Sequence, residues 1–255
     1  MHPTLFHIGG FAIHTYGFFV AMGFLIGISL AVQEARRVDE DPEKIMDTTL
    51  YGLIAALVGS RFFYVAINWN DFRHDPLEII RIWRGGLVFY GGLIAAFFVV
   101  LWYIRKNRLS LWKTADILAP SIALGQSVGR IGCFFAGCCY GKACDHWWGV
   151  IFTNPESLAP KGVSLHPTQL YSSLNAFLIF VVLFRLRKRK KFEGELFWLY
   201  VLLYSISRSV IEVFRGDPRG FMFGGVLSVS QMIGIVMSCS ALFMLYRLHT
   251  SSCGK

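Results

Sequence analysis

Charge is scarce in this sequence. Only 16% of its 255 residues are Asp, Glu, Lys or Arg, against 55% in the apolar set and a mean hydropathy of +0.50, a balance that excludes an ordinary soluble domain. The opening "MHPTLFHIGG" lacks a basic n-region and a small-residue cleavage site. A cleaved signal peptide is therefore not expected there, and the first apolar run is expected to do the targeting. No internal repeat is visible, and no low-complexity tract beyond one short basic run. That counts against a transporter, which usually carries paired broken helices. The six cysteines lack the C-x2-C spacing of common zinc sites.

What is present is a series of long apolar runs. A helix needs about 20 mainly apolar residues to cross a hydrocarbon core of roughly 30 Å. Seven stretches meet that need, at 16–33, 47–67, 87–104, 116–136, 167–184, 195–212 and 225–246. The fold expected is an all-α membrane protein of seven transmembrane helices, forming one polytopic domain over residues 1–255.

Orientation follows from the basic residues, because Lys and Arg of short loops stay cytoplasmic. One set of loops, together with the tail, holds 15 of the 25, including the run "RLRKRKK"; the opposite set holds seven, Arg73, Arg81, Arg84, Lys142, Lys161, Arg215 and Arg219. The N-terminus is thus expected outside and the C-terminus inside. The net charge of +9 reflects this asymmetry and suits anionic headgroups, with no need for nucleic acid. Two long outer loops, 68–86 and 137–166, mix aromatic residues such as Trp147 and Trp148 with charge, as expected of interfacial arms.

Three arginines lie inside the apolar runs. An ionisable group at the bilayer centre costs about 2.5–3.5 kcal/mol, so it faces a partner or a cavity. In "YSISRSVIEVFRGD", Tyr204, Arg208 and Glu212 recur every four residues and share one helical face, with Arg215 on nearly the same stripe. This reads either as a self-neutralising ion pair or as a cationic stripe suited to phosphate. Arg130, with Gln126 four residues earlier on the run that Asp116 begins, has no sequence-local carboxylate, which points to a substrate path. Arg61 sits near the outer half of the second run, where snorkelling and function explain it equally well. The glycines of "RGGLVFYGGLIAA", Gly91 and Gly92 among them, serve close helix packing or a helix break beside a ligand. Arginines converging from different helices imply an anionic lipid headgroup as ligand.

Four of the cysteines, Cys133, Cys138, Cys139 and Cys144, fall in and after "GRIGCFFAGCCYG". Their spacing argues against metal, adjacent Cys138 and Cys139 do not easily close on each other, and a disulfide involving Cys144 is an alternative in an outer loop. Cys239 reads as a small lipid-buried residue and Cys253 as a tail thiol.

The stretch "GRIGCFFAGCCYG", with "GGLVFYGG" at 85–92, "HPTQLY" at 166–171, "RSVIEVFRGD" at 208–217 and the opening "IHTYG", resembles the bacterial prolipoprotein diacylglyceryl transferases over nearly the whole chain. That resemblance implies an enzyme of the inner membrane that moves a diacylglyceryl group from phosphatidylglycerol to the lipobox cysteine of a prolipoprotein. Glycerol 1-phosphate leaves. By matching motifs it implies Arg130 and Arg208 as essential arginines, Glu212 as their acidic companion, Tyr16 and Tyr204 as important tyrosines, and Gly141 as the glycine closing the signature.

Two departures stand out. Tyr90 occupies the place of a frequent His in "HGG", and Cys133, Ala136 and Cys138 stand where many members have "GNFxNGE". Tyrosine, with a pKa near 10, is a poorer base than histidine. His166 is an outer-loop candidate base that serves equally well to cap the next helix, and Ser172 follows where an acidic residue is frequent. The expected catalytic set is Arg130, Arg208, Glu212 and Tyr90. The expected substrate-binding set adds Tyr16, Tyr204, Gly91, Gly92, Gly141, Arg61 and Arg215. No metal or organic cofactor is expected, and a monomer is. Two rival readings stay open: a membrane thiol oxidoreductase using Cys138 and Cys139, and an anionic-lipid transporter using the same arginines.

Overall fold

The computed structural model describes residues 2–8, 11–73, 75–81, 85–216, 221–222 and 227–253. Arg84, Asp217 and Arg219, named above for their loops and motif, lie outside the described residues, as does the beginning of the seventh apolar run. Among the described residues, seven helices are long and apolar enough to cross a membrane. They are α1 (Thr15–Arg37), α2 (Pro42–Ile67), α4 (Phe89–Lys106), α5 (Leu111–Ala136), α6 (Thr168–Leu186), α7 (Glu195–Glu212) and α8 (Val229–Cys253), with a short α3 (Trp69–Phe72) and a 3-10 turn at Pro76–Ile79 between α2 and α4. Three small antiparallel pairs complete the described fold: β1 (Thr4–Ile8) with β2 (Phe11–His14), β3 (Val150–Ile151) with β4 (Ser164–Leu165), and β5 (Phe221–Met222) with β6 (Leu227–Ser228).

Several helices start earlier than the apolar runs, for a local reason. Asp41 caps α2 by accepting from the backbone N–H groups of Glu43 and Lys44, and Pro42 sits at the first position. Proline loses nothing there, since that N–H has no intrahelical partner. A polar first turn thus precedes the apolar stretch. At the head of α8, Ser228 and Gln231 cap each other reciprocally, the Ser228 N–H donating to Gln231 Oε1 (3.0 Å) and the Gln231 N–H to Ser228 Oγ (3.2 Å).

The chain divides into two compact units, Met1–Leu30 with Ala115–Lys255, and Ala31–Thr114. In the first, α1 meets α5 through glycine. A Cβ on Gly23 would lie 2.6 Å from the Gly125 carbonyl oxygen and one on Gly132 3.2 Å from Tyr16 Cα, so the backbones touch where side chains are missing. Ala119 and Ala123 of α5 pack with Ile179 and Leu183 of α6 and Leu196 of α7 in a buried apolar layer. Ser127 and Ser173 add a polar tie within it, each hydroxyl donating to the other's carbonyl (2.9 and 2.8 Å).

The first turn of α7 takes its cap from α5. Gly194, at the head of α7, brings no side chain. Instead Asp116, 2% exposed, accepts from the backbone N–H groups of Gly194 (2.8 Å) and Phe197 (3.0 Å) and pairs with Lys190 Nζ at 3.1 Å. A charge in a mainly apolar layer is tolerable because its lone pairs are used. Only 6% of the most apolar stretch of α8 is buried, leaving an apolar surface of the kind that faces lipid.

In the second unit α2 packs on α4. A Cβ on Gly92 would fall 2.7 Å from the Ala56 carbonyl oxygen, and one on Gly91 2.8 Å from that of Gly59. Both glycines are buried in the first turn of α4, which is continuous from Phe89, so they serve close packing rather than a break in the helix. Tyr103 Oη donates to Asp47 (2.8 Å), tying the far ends of the same two helices.

Candidate active site

Helix α7 supplies the densest group of charge. Arg208 Nη1 donates to Glu212 Oε2 one turn on, and Arg215 Nε lies 3.7 Å from the same oxygen. The other carboxylate oxygen accepts from Ser228 Oγ at 3.4 Å, so α8's cap also holds Glu212 in place. Glu212 and Arg215 are buried, and the Arg208 side chain is 15% exposed. The ion pair of the first reading therefore forms, with one carboxylate shared by two guanidiniums.

Arg130 joins this group from α5. It has no carboxylate partner among the described residues. Its electrostatic neighbours are Tyr204, Cys133, Cys139 and Arg215, and Tyr204 and Arg215 are also neighbours of Arg208. Tyr204 stacks on Tyr200 (centroids 5.8 Å apart, planes 18° apart), and Tyr200 Oη donates to Gln126 Oε1 at 3.3 Å. The turn between Gln126 and Arg130 is thus tied to α7 on the side facing Tyr204. Tyr16, at the start of α1, faces the same place, with Arg130 and the three thiols among its electrostatic neighbours.

Gly141 closes the loop after α5. Its N–H donates to the His166 carbonyl (3.1 Å), and it bridges to Arg215, while Lys142 N–H donates to the Phe214 carbonyl (2.8 Å). A Cβ on Gly141 would meet the His166 carbonyl oxygen at 2.5 Å and that of Phe214 at 2.9 Å. Only glycine lets three backbone segments meet there, and one of them carries Arg215. His166 itself turns to Tyr171, Nδ1 to Oη at 3.2 Å.

The first unit accordingly brings together Arg130, Arg208, Glu212, Arg215, Tyr16 and Tyr204, with Gly141 shaping the loop. Tyr90, Gly91, Gly92 and Arg61 belong to the second unit. Tyr90 is 56% exposed at the head of α4. Arg61 is buried, and its guanidinium donates to the backbone carbonyls of Ile79 (2.9 Å), Gly85 (2.8 Å), Gly86 (3.1 Å), Arg81 (3.5 Å) and Glu78, beside the touching rings of Tyr64 and Phe72. It holds the loop ahead of α4 rather than snorkelling to water.

The linear spacing of the cysteines conceals their convergence. The described cysteines, Cys133, Cys138, Cys139, Cys144 and Cys239, are free thiols, and Cys144 is buried without a disulfide. Gly137 (φ 74°) and Cys139 (φ 60°) turn the chain back so that the Cys133, Cys138 and Cys139 sulfurs gather, with Arg130 Nη1 3.8 Å from Cys139 Sγ. Hydrogen bonds from the Cys133 and Cys138 thiols, and then the Arg215 guanidinium, hold the Cys139 thiol well below its usual range. Cys138, hydrogen-bonded within the same cluster and partly desolvated, is pushed up.

Comparison with known proteins finds a family and full-length relatives. The prolipoprotein diacylglyceryl transferase family matches residues 3–247. A phosphatidylglycerol–prolipoprotein diacylglyceryl transferase of Clostridium tetani is 37% identical over 245 residues, covering 96% of each chain. One from Bacillus licheniformis is 37% identical over 252 residues, 97% of this chain and 93% of its own. Another, from Synechococcus elongatus, is 35% identical over 244 residues, 92% of this chain and 83% of its own. With the match running from β1 into α8 and taking in every arginine of the cluster, this chain belongs to the prolipoprotein diacylglyceryl transferase family.

Proposed function

We propose that this chain transfers the diacylglyceryl group of phosphatidylglycerol to the lipobox cysteine of prolipoproteins, the first step of lipoprotein maturation. The observation that carries this reading is a charge imbalance. Two guanidiniums, Arg208 and Arg215, share one carboxylate, Glu212, and a third, Arg130, neighbours Arg215 with no carboxylate partner among the described residues. The excess of two positive charges suits a phosphate whose charge grows during the reaction.

In the reaction the substrate thiol loses its proton, and the thiolate attacks the glyceryl carbon that bears the phosphate oxygen. A C–S bond forms, the C–O bond breaks, and its electron pair leaves with the phosphate. The bound phosphodiester carries one negative charge and the departing glycerol 1-phosphate about two at neutral pH. Guanidiniums fixed beforehand gain more attraction at the transition state than in the ground state, which is what lowers a barrier. Arg130 and Arg208 hold the phosphate. Glu212 is a positioning residue: it aligns Arg208 and Arg215 and keeps the empty cluster from excessive self-repulsion. Tyr16 and Tyr204 offer hydroxyls beside Arg130. For Tyr90, Gly91 and Gly92, support comes from the family motifs and not from the guanidinium cluster, and for Arg61 it comes from the place of a charge inside an apolar run.

The excess of Lys and Arg in alternate loops supports an outside N-terminus, an inside C-terminus and a site facing the outer leaflet of the bacterial inner membrane. In this reading one polytopic domain acts as a monomer. The test is purified protein in micelles with phosphatidylglycerol and a lipobox peptide. Mass spectrometry should find the peptide heavier by one diacylglyceryl group, with glycerol 1-phosphate released in equal amount. Absence of both products sinks the reading.

A further inference from the structure

The three gathered thiols take no part in the transfer described above. Cys133 lies in the last turn of α5, and Cys138 and Cys139 follow the Gly137 turn, with all three sulfurs within 4.8 Å of one another. The turn is held from α6: Thr168 Oγ1 donates to the Cys139 carbonyl (2.7 Å) and Gln169 Nε2 to the Cys138 carbonyl (2.8 Å). These bonds fix Cys139 at φ 60°, a left-handed conformation that a non-glycine residue rarely adopts. The backbone therefore points three sulfurs at one spot before any ligand arrives.

We propose that Cys133, Cys138 and Cys139 form a three-thiolate site for a soft d10 cation, Zn(II) or Cu(I), and that a cation bound there blocks phosphate from the adjoining arginines. Thiolates favour these ions over hard ones. Zinc–sulfur bonds of about 2.3 Å require sulfurs roughly 3.8–4.0 Å apart, so the cluster needs to contract by about 1 Å at most. Each thiol releases its proton to water as it binds. Three thiolates around Zn(II) carry one net negative charge, and around Cu(I) two. That charge faces Arg130, whose Nη1 is 3.8 Å from Cys139 Sγ, and Arg215, which also reaches Cys139. The cationic neighbours thus stabilise the loaded site, and the loaded site competes with phosphate for them. The competition rests on the proposed role of Arg130; the binding of the ion does not.

The test uses the full chain, purified in detergent with its thiols reduced. Cd(II), a spectroscopic substitute for Zn(II), is titrated while the ultraviolet thiolate-to-cadmium charge-transfer band is followed. One equivalent should saturate a band of three-thiolate amplitude, Zn(II) should compete it away, and Cys139→Ser should reduce it. In the unaltered chain Zn(II) should also protect Cys133, Cys138 and Cys139 from maleimide, but not Cys239, as read by peptide mass spectrometry. That measurement holds if a serine variant fails to fold. One equivalent of Zn(II) should cut diacylglyceryl transfer at least tenfold, reversibly by chelation, with the Cys139→Ser variant resistant. No saturable band, no protection, or a disulfide among the three that survives mild reduction overturns the site. Binding and protection with undiminished transfer overturns the blocking role alone, and a chain that never transfers still reports on the ion through the band.

Discussion

Arg215 Nε lies 3.7 Å from Glu212 Oε2, the oxygen that also receives Arg208, so a single buried carboxylate orients two guanidiniums, one a turn before it in α7 and one just past the end of that helix. Glu212 should therefore act on the reaction through the arginines and not by touching substrate. Glu212→Gln keeps the shape and removes the charge, leaving three guanidiniums to repel one another. We expect kcat for transfer to fall about 10- to 100-fold, roughly 1.4–2.7 kcal/mol, with a smaller change in KM, and Glu212→Asp to recover part of it. Steady-state release of glycerol 1-phosphate measures both constants. An unchanged kcat in Glu212→Gln would remove the carboxylate from the account.

Arg130 has no carboxylate partner among the described residues, so its fork of N–H donors is available for the proposed phosphate in a way that of Arg208 is not. Arg130→Lys keeps the charge and loses the bidentate geometry. We expect transfer to drop about 10²- to 10³-fold, the usual cost of losing a preorganised donor at developing charge. The same assay decides it, with thermal unfolding in detergent as the control. A lysine variant of near-normal rate would mean that charge alone suffices.

The helices were readable from the sequence because hydrocarbon demands about 20 apolar residues at a time, and α4 and α6 fall within two residues of the runs that announce them. The starts of α2 and α5 were not, since the first turn of α2 is polar, α5 sets Lys113 and Thr114 directly after Leu111 and Trp112, and hydropathy is blind to a helical turn that interrupts the apolar run. Arg208, Glu212 and Arg215 were legible as a stripe because helical spacing is local. The gathering of three sulfurs was not, for it depends on a left-handed Cys139 and on hydrogen bonds from α6, about 30 residues later in the chain. In the sequence Asp116 is only the first residue of an apolar run, although its partners lie near residue 195. The tie to the head of α7 leaves no periodic trace.

That tie leads to a stability prediction. Asp116 accepts two backbone N–H groups and an ammonium, and hydrogen bonds to charged groups contribute about 1.5–3 kcal/mol each. Asp116→Ala leaves the Gly194 and Phe197 N–H groups without an acceptor and should destabilise the protein by about 3 kcal/mol. Lys190→Met should cost under about 1 kcal/mol, because the Lys190 side chain is 23% exposed and a partly solvated pair is screened. Unfolding midpoints in detergent compare the two, and equal losses would place the role of Asp116 in its ion pair instead of its backbone bonds.

Arg61 offers a separate test of positioning, in the second unit. Its guanidinium reaches five carbonyls of the segment between α3 and α4, those of Glu78, Ile79, Arg81, Gly85 and Gly86, a spread that five N–H donors in a plane can cover and three ammonium donors at one point cannot. Arg61→Lys should lose at least two of these bonds, about 1–3 kcal/mol at a net 0.5–1.5 kcal/mol each. The loss falls on the loop and not on the helix pair, since α2 and α4 are held independently by Gly59, Gly91 and Gly92. Limited proteolysis should then show faster cleavage between Asp75 and Leu87 with little change in the global unfolding midpoint. If the midpoint collapses and the loop stays protected, Arg61 stabilises the helix pair and not the loop.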